Sequence, residues 1–320
     1  SWNPFDFFKA FRIIKKAKHP VLVEFQILEL SDYVRALLYL ATYPFHLRTF
    51  AQGLGVSDED RILGFSLWET LDTVTIRNYL SFLYGKRISC LRDLKVKCIS
   101  WYENQASNKT LYRGLRHVPG KVKIYGAQLF LAPSTLLNII PDEAEIRFGV
   151  LPDKILVNGR GCSLRLKHIF EAVGPSLRYA KLFHTQTDPS NGDIVLVLLP
   201  YWDHAIKNIL NLIRGIKWSV PVVIKFHPAV EKSSYSSQIL SKFLVTDEDL
   251  YVLFKRAQVA VGCSSGALVE AMCLGIPVVD IVDPKQFVHN YMPAEEKGIL
   301  WDKAVHEEDI NLILKGFEEV

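Results

Sequence analysis

Short apolar runs bounded by glycine, proline or polar turns alternate with stretches of helical periodicity along most of the 320 residues. Such alternation predicts an α/β layered sheet. The pattern is sharpest toward the carboxyl end. Asp193–Leu199 (DIVLVLL) and Val220–Phe226 (VPVVIKF) are continuous apolar runs, as expected of strands buried on both faces. Helices are expected over His204–Arg214 and Leu250–Arg256. A strand beginning at Gln258–Val261 turns through Gly262-Cys263-Ser264-Ser265-Gly266 into a helix over Ala267–Cys273. Gly275 is placed to cap that helix, and Ile276–Val282 reads as the next strand. The half-domain over 192–300 is therefore expected to be doubly wound, with its working loops at the carboxyl ends of the strands.

Upstream the pattern is weaker. Phe5–Lys16 reads as a basic amphipathic helix with Phe7, Phe8, Phe11 and Ile14 on one face. That face either docks on its own domain or lies on an anionic membrane surface. A strand is expected at Val21–Phe25, helices at Tyr33–Leu40 and Leu67–Leu83, and strands at Val96–Trp101, Val122–Tyr125 and Ile155–Val157. The polar, turn-rich stretch Thr185–Gly192 has the composition of a linker. Domains are accordingly expected over 1–188 and 189–320.

Composition narrows the class. Hydrophobic residues make up 49% and charged residues 22%, which describes a globular chain, and the formal net charge is +4. That charge suits an anionic substrate or an acidic membrane surface and is too small to imply nucleic acid. The five cysteines are odd in number and lack metal-ligand spacing. They are expected to be buried free thiols in a reducing compartment, hence a cytoplasmic protein. No apolar run is long enough to span a bilayer. The chain opens with Ser1 rather than Met, so natural residues are expected upstream.

Two elements point to phosphate chemistry. In Val261–Ala271 a strand ends in small residues and opens directly onto a helix. The backbone N–H groups and positive dipole end would then face a ligand, with Ser264 and Ser265 adding donors beside Gly266. Either serine could instead be the helix N-cap. His227, followed by Pro228, is held at a strand's carboxyl end, where it can donate to a phosphate or act as a general acid. Taken alone, His-Pro also makes an ordinary turn. Adjacent strand ends would bring His227 and the two serines around one crevice. Metal-binding Asp-x-Asp, phosphate-binding Walker and Gly-x-Gly-x-x-Gly patterns are absent, so no metal or cofactor is expected.

The pair "FHP" and "CSSGALVEAMCLGIPVV" resembles the HP and SS motifs of bacterial sialyltransferases, polysialyltransferases and Kdo transferases. This resemblance covers about 110 residues and implies a GT-B enzyme, two Rossmann-like domains with a cleft between them. It implies a CMP-sugar donor held by His227, Pro228, Ser264, Ser265 and Gly266, and a bacterial surface glycan or glycolipid as acceptor. Glu270 resembles an acidic position facing the nucleotide ribose, or is simply a solvated helix residue. In the same family an acidic residue of the first domain activates the acceptor or, in retaining Kdo transferases, serves as nucleophile. Glu103, in Ser100-Trp101-Tyr102-Glu103-Asn104-Gln105, is the candidate, unless it merely pairs with Lys109 or Arg113. Closure would bring it to the anomeric carbon. "WYENQ" also resembles surface-carbohydrate biosynthesis proteins. Asn104, Gln128 and Asp203, at or just beyond strand ends, rank lower, and Asp203 is equally placed to cap a helix. CDP-glycerol phosphotransferases share such a core and are one alternative; a non-catalytic glycan-binding scaffold is another.

Overall fold

The computed structural model describes residues 4–16, 18–19, 21, 23–91, 95–131, 133, 135–162, 170–174, 176–235 and 240–318. The chain divides into two compact units. The first contains residues 1–127, 138–155 and 167–170, and the second contains 128–137, 156–166 and 171–320. Position 188/189 thus lies inside the second unit. Among the described residues no helix is long and apolar enough to cross a membrane.

The first unit is mostly helical: α1 Pro4–Lys15, α2 Glu24–Ile27, α3 Leu30–Ala51, α4 Asp58–Glu69 and α5 Thr73–Ser89. These are followed by β1 Val96–Trp101, α6 Ala106–Leu115, β2 Val122–Ala127 and α7 Glu143–Phe148. β1 and β2 pair in parallel, Val96 opposite Val122 through Trp101 opposite Ala127. They begin a four-stranded sheet ordered β1-β2-β3-β4, with β3 Lys154–Val157 and β4 Phe170–Val173. Ile88, Val96, Cys98, Val122 and Ile124 pack with Tyr112 and Leu115 in a small core between the sheet and α5/α6. Helices α5 and α6 meet at two glycines. A Cβ on Gly114 would lie 2.1 Å from the Phe82 carbonyl oxygen, and one on Gly85 would lie 2.7 Å from that of Leu111. Only glycine lets the two backbones approach so closely.

Three expectations for this region need correction. The strand expected at Val21–Phe25 is not formed: Glu24 and Phe25 open α2, while Pro20 and Leu22 lie outside the described residues. The helix expected over Leu67–Leu83 is two helices, because the Asp72 side chain accepts from the N–H groups of Val74 and Thr75 and so caps a fresh start. The helix at Tyr33–Leu40 extends over 22 residues and carries Pro44 inside it. In α1 the side chains of Phe7 and Phe8 lie outside the described residues. Phe11 meets the Phe25 ring at 5.9 Å.

The second unit contains β5 Ile194–Leu199, α8 Asp203–Gly215, β6 Val222–Phe226, β7 Leu244–Val245 and α9 Leu250–Phe254. It continues with β8 Ala257–Gly262, α10 Gly266–Cys273, β9 Val278–Ile281, β10 Trp301–Ala304 and α11 Glu307–Glu318. The sheet runs β10-β9-β8-β5-β6-β7, with every neighbouring pair parallel. Counted from β5, this is the strand order of a dinucleotide-binding Rossmann sheet. All six residues of β5 are buried. Val195, Val197 and Leu199 face the core containing Ile206, Ile209 and Ile213 of α8 and Ile310 of α11. Ile194, Leu196 and Leu198 face the other core, with Leu253 and Phe254 of α9 and Leu268 of α10. Burial on both faces explains why this segment reads as an unbroken apolar run. The expected cap is present: Gly275 has φ +79° and its N–H bonds the Met272 carbonyl.

Candidate functional site

In the second sheet the connections leave β5 in one direction toward β6 and β7, and continue on its other side through β8, β9 and β10. The carboxyl ends of β5 and β8 therefore flank the topological switch point, where open parallel sheets bind ligands. Their neighbourhood is close-packed, since a Cβ on Gly262 of β8 would lie 2.6 Å from the Leu198 carbonyl oxygen of β5. His227 follows β6, and the serine turn follows β8. The expectation that these are adjacent strands needs correction. β5 lies between them, so the two loops stand two strand spacings apart, roughly 10 Å. The exit of β5, Pro200-Tyr201, fills the interval, with the Tyr201 ring 6.0 Å from that of His227.

His227 is exposed, and its N–H donates to the Leu199 carbonyl at 3.1 Å, tying the end of β6 to the end of β5. The ring Nδ1 accepts from the Ala229 N–H at 3.1 Å. That bond puts the proton of the neutral imidazole on Nε2. The ring thus presents a donor on its far edge. Pro228, also exposed, ends the strand because it has no N–H to give the ladder.

The serine turn divides its roles. Ser265 is the N-cap of α10, its hydroxyl accepting from the Ala267 N–H at 3.3 Å. Ser264 has φ +46°, a left-handed conformation rare outside glycine. Its hydroxyl donates to the His289 carbonyl at 2.6 Å, and its backbone N–H bonds the Asp280 carboxyl. The Leu268 N–H goes to the Ser265 carbonyl. Among the described hydrogen bonds none claims the Gly266 N–H, and at the first position of α10 this group carries the positive end of the helix dipole.

Asp280, on β9 opposite Gly262, is 4% exposed. Burial pushes its carboxyl up to about 6, against the opposing pull of the Ser264 N–H and the Lys303 ammonium. Glu270 is half-buried, not solvated. Burial raises its pKa, while the hydrogen bond from the Tyr251 hydroxyl and the Arg178 charge pull it down. Asp203 opens α8 from its first turn; Trp202 is the N-cap. The Asp203 carboxylate pairs with Lys207 at 2.6 Å and accepts from the Tyr235 hydroxyl at 2.9 Å. Gln128 is 3% exposed. Its backbone N–H donates to Leu156, but neither side-chain polar atom has a partner among the described residues.

Two residues that sequence reasoning did not single out belong to this site. His289 lies in the loop beyond β9, its Nδ1 2.9 Å from the Thr135 hydroxyl and its carbonyl holding Ser264. Asp280 sits beneath the turn. The rule applied to His227, a polar group at the carboxyl end of a strand, would have found Asp280 near the end of β9, whereas His289 lies eight residues past that strand and carries no such signal.

Glu103 and Asn104 belong to the first unit, just beyond β1. Glu103 is half-buried and accepts from the Gln105 side chain; its carbonyl receives the Asn138 amide at 2.9 Å. The cations weighed as its partners are engaged elsewhere, Lys109 with Glu145 and Arg113 with the Phe148 carbonyl. Asn104, with φ +54°, donates to the Asn138 carbonyl and to Glu145. Burial raises the Glu145 pKa, but Lys109, Asn104 and the Asp142 N–H together hold it below the ordinary range. Among the described residues no three or more His, Cys, Asp or Glu side chains are grouped to hold a metal ion. The expectation of buried cysteines needs correction too: Cys263 is buried, Cys98 and Cys162 are half-buried, and Cys90 and Cys273 are exposed.

No family model and no curated protein matches the sequence. Among solved structures the chain is similar to the glycotransferase of kitacinnamycin at 10% identity and a TM-score of 0.43. That likeness covers 77% of this chain and 74% of the other. It is also similar to a histidine-to-asparagine variant of the wall teichoic acid polymerase TagF with CDPG, at 12% identity and a TM-score of 0.38, covering 92% and 90%. A histidine-to-alanine variant of that polymerase matches at 10% identity and a TM-score of 0.36, covering 78% and 90%. Likeness at these values carries no functional conclusion.

Proposed function

We propose that this chain is a GT-B glycosyltransferase that moves a Kdo or sialic-acid-like sugar from a CMP-sugar to a bacterial surface oligosaccharide or glycolipid. One observation carries the reading. Two donors of different kinds, the Nε2–H of His227 and the Gly266 N–H at the start of α10, flank the switch point of a Rossmann-ordered sheet. A monophosphate leaving group develops one charge, which an imidazole, a helix N-terminus and neutral dipoles can meet without a divalent ion. In the transfer the bond from anomeric carbon to phosphate oxygen breaks, and CMP leaves with its charge stabilised by these donors. Glu103 takes the acceptor hydroxyl's proton as that oxygen attacks, or serves as nucleophile in a retaining reaction. Glu270, held by Tyr251, is assigned to the nucleotide ribose on this reading. The basic helix α1 is assigned to the anionic face of the inner membrane.

Calorimetric titration with CMP, CDP and UDP tests the donor assignment. CMP is expected to bind, and His227→Ala to weaken it about tenfold or more, the loss of one hydrogen bond to a charged group. Turnover with a UDP- or GDP-sugar in the absence of any CMP binding would overturn the reading. Tighter binding of CDP than of CMP would redirect it to glycerophosphate transfer. Turnover is expected to survive chelation by EDTA.

A further inference from the structure

The first unit holds a groove of 760 Å³ between α3, α4, α5 and α6, within the range of ligand sites. One wall is a run of four aromatic rings. Tyr43 and Tyr39 of α3 stand 5.4 Å apart, and Tyr39 stacks on Tyr79 of α5 at 4.3 Å with planes only 6° apart. Tyr79 is followed by Phe82 at 6.0 Å. All four are half-buried and line the groove, Tyr39 and Tyr79 with one face of each turned on the other. The residues repeat at i, i+4 on α3 and i, i+3 on α5, which places each pair on one helix face.

Around this wall the polar groups are of both kinds. Glu69, Asp72 and Asn78 supply acceptors on one side. Lys109, Thr110 and Arg113 line the other. The Tyr43 hydroxyl is tied to Thr70 at 2.8 Å, which holds that ring at the rim. Arg113 uses one guanidinium nitrogen on the Phe148 carbonyl, and a guanidinium has five N–H groups in all.

These features select among ligands. A purely apolar chain would desolvate the Glu69 carboxylate and the unused N–H groups of Arg113 without pairing them. A phosphate-rich polyanion would meet Glu69 and Asp72. A sugar ring has an apolar C–H face to lie on an aromatic ring and a rim of hydroxyls that both donate and accept. We infer that this groove binds an oligosaccharide along the ladder of Tyr43, Tyr39, Tyr79 and Phe82. The inference rests on the transferase reading only in identifying that oligosaccharide with the acceptor.

The test uses the full chain on an array of immobilised oligosaccharides spanning neutral, amino and acidic sugars, followed by calorimetry with the strongest binder. Tyr79→Ala is expected to weaken binding about tenfold, equivalent to ~1.4 kcal/mol from one aromatic contact. Glu69→Ala, at an exposed rim position, removes hydroxyl partners without disturbing the ladder and is expected to weaken binding several-fold. Absence of retention of every oligosaccharide, or binding indifferent to both substitutions, would overturn the inference. CMP titration of the same proteins reports separately. Saccharide binding without CMP binding sinks the donor assignment and leaves the groove standing, and the reverse result sinks the groove alone.

Discussion

Asp280 shows how one buried group can tune a ligand loop. Its carboxyl sits beneath the serine turn, bonded by the Ser264 N–H, and burial lifts its pKa from 3.8 to about 6. The folded state therefore binds this proton more tightly than the unfolded chain does. Its contribution to stability is full below pH 3.8 and is lost as pH rises through about 6. At about 1.4 kcal/mol per unit, the difference is on the order of 3 kcal/mol. Asp280→Asn keeps an acceptor for Ser264 and removes the charge. Thermal unfolding followed from pH 4 to pH 7 should show the variant gaining on the parent across that window. Parallel curves for the two proteins would refute the assignment. The same geometry explains the left-handed Ser264, whose conformation is held at both ends by Asp280 and His289. Nothing in "GCSSGA" announces that Ser264 has internal partners, because both come from the distant segment 280–289, whereas the capping role of Ser265 is local and was among the expected alternatives. His227 was legible because strand, histidine and proline are consecutive.

Among the elements, the α5/α6 pair depends on two glycines and the β5/β8 pair on one. Gly114→Ala would drive a methyl into the Phe82 carbonyl, a backbone atom that cannot rotate away. The helices must separate, which costs about 1–3 kcal/mol or more by overpacking. Denaturant unfolding of Gly114→Ala measures this. An unchanged midpoint would mean that the helices are not packed as described. Because α5 also carries Tyr79 and Phe82, the same variant should loosen the aromatic wall. In the second unit β5, α8, β6, α9, β8, α10 and β9 were readable with small errors at the ends, whereas β7, β10 and α11 were not expected. Val220–Phe226 begins at Val222, and Ile276–Val282 shrinks to Val278–Ile281. In the first unit the reading failed where local capping decided the outcome. Asp72 can be read in hindsight as an N-cap, but the helical periodicity of the flanking residues runs straight through it.

For the molecule as a whole, charge and exposed apolar surface are unevenly distributed. Residues 9–18 hold Lys9, Arg12, Lys15, Lys16 and Lys18 with no acidic residue. On α3, Leu30, Val34, Leu37, Leu38 and Phe45 form an exposed stripe at helical spacing, on the face opposite buried Asp32 and Ala36. Both features fit the proposed contact with an anionic bilayer. The protein should cosediment with phosphatidylglycerol-containing vesicles. Replacing Lys15, Lys16 and Lys18 with alanine should weaken that binding about a hundredfold, at ~1 kcal/mol for each lost charge. Equal sedimentation with purely zwitterionic vesicles would exclude the electrostatic contribution. The sequence by itself determined the α/β class, the four strands β5, β6, β8 and β9 with the helices α8, α9 and α10, and the residues offered at the strand ends. These follow from periodicity, burial on both faces and Gly or Pro punctuation, all of them local. Only the tertiary structure decided the strand order that puts β5 between His227 and the serine turn, the partners that occupy Ser264, and the gathering of four rings from two helices into one wall. Those depend on which distant segments meet, and pairing between distant segments leaves no periodic trace in one chain.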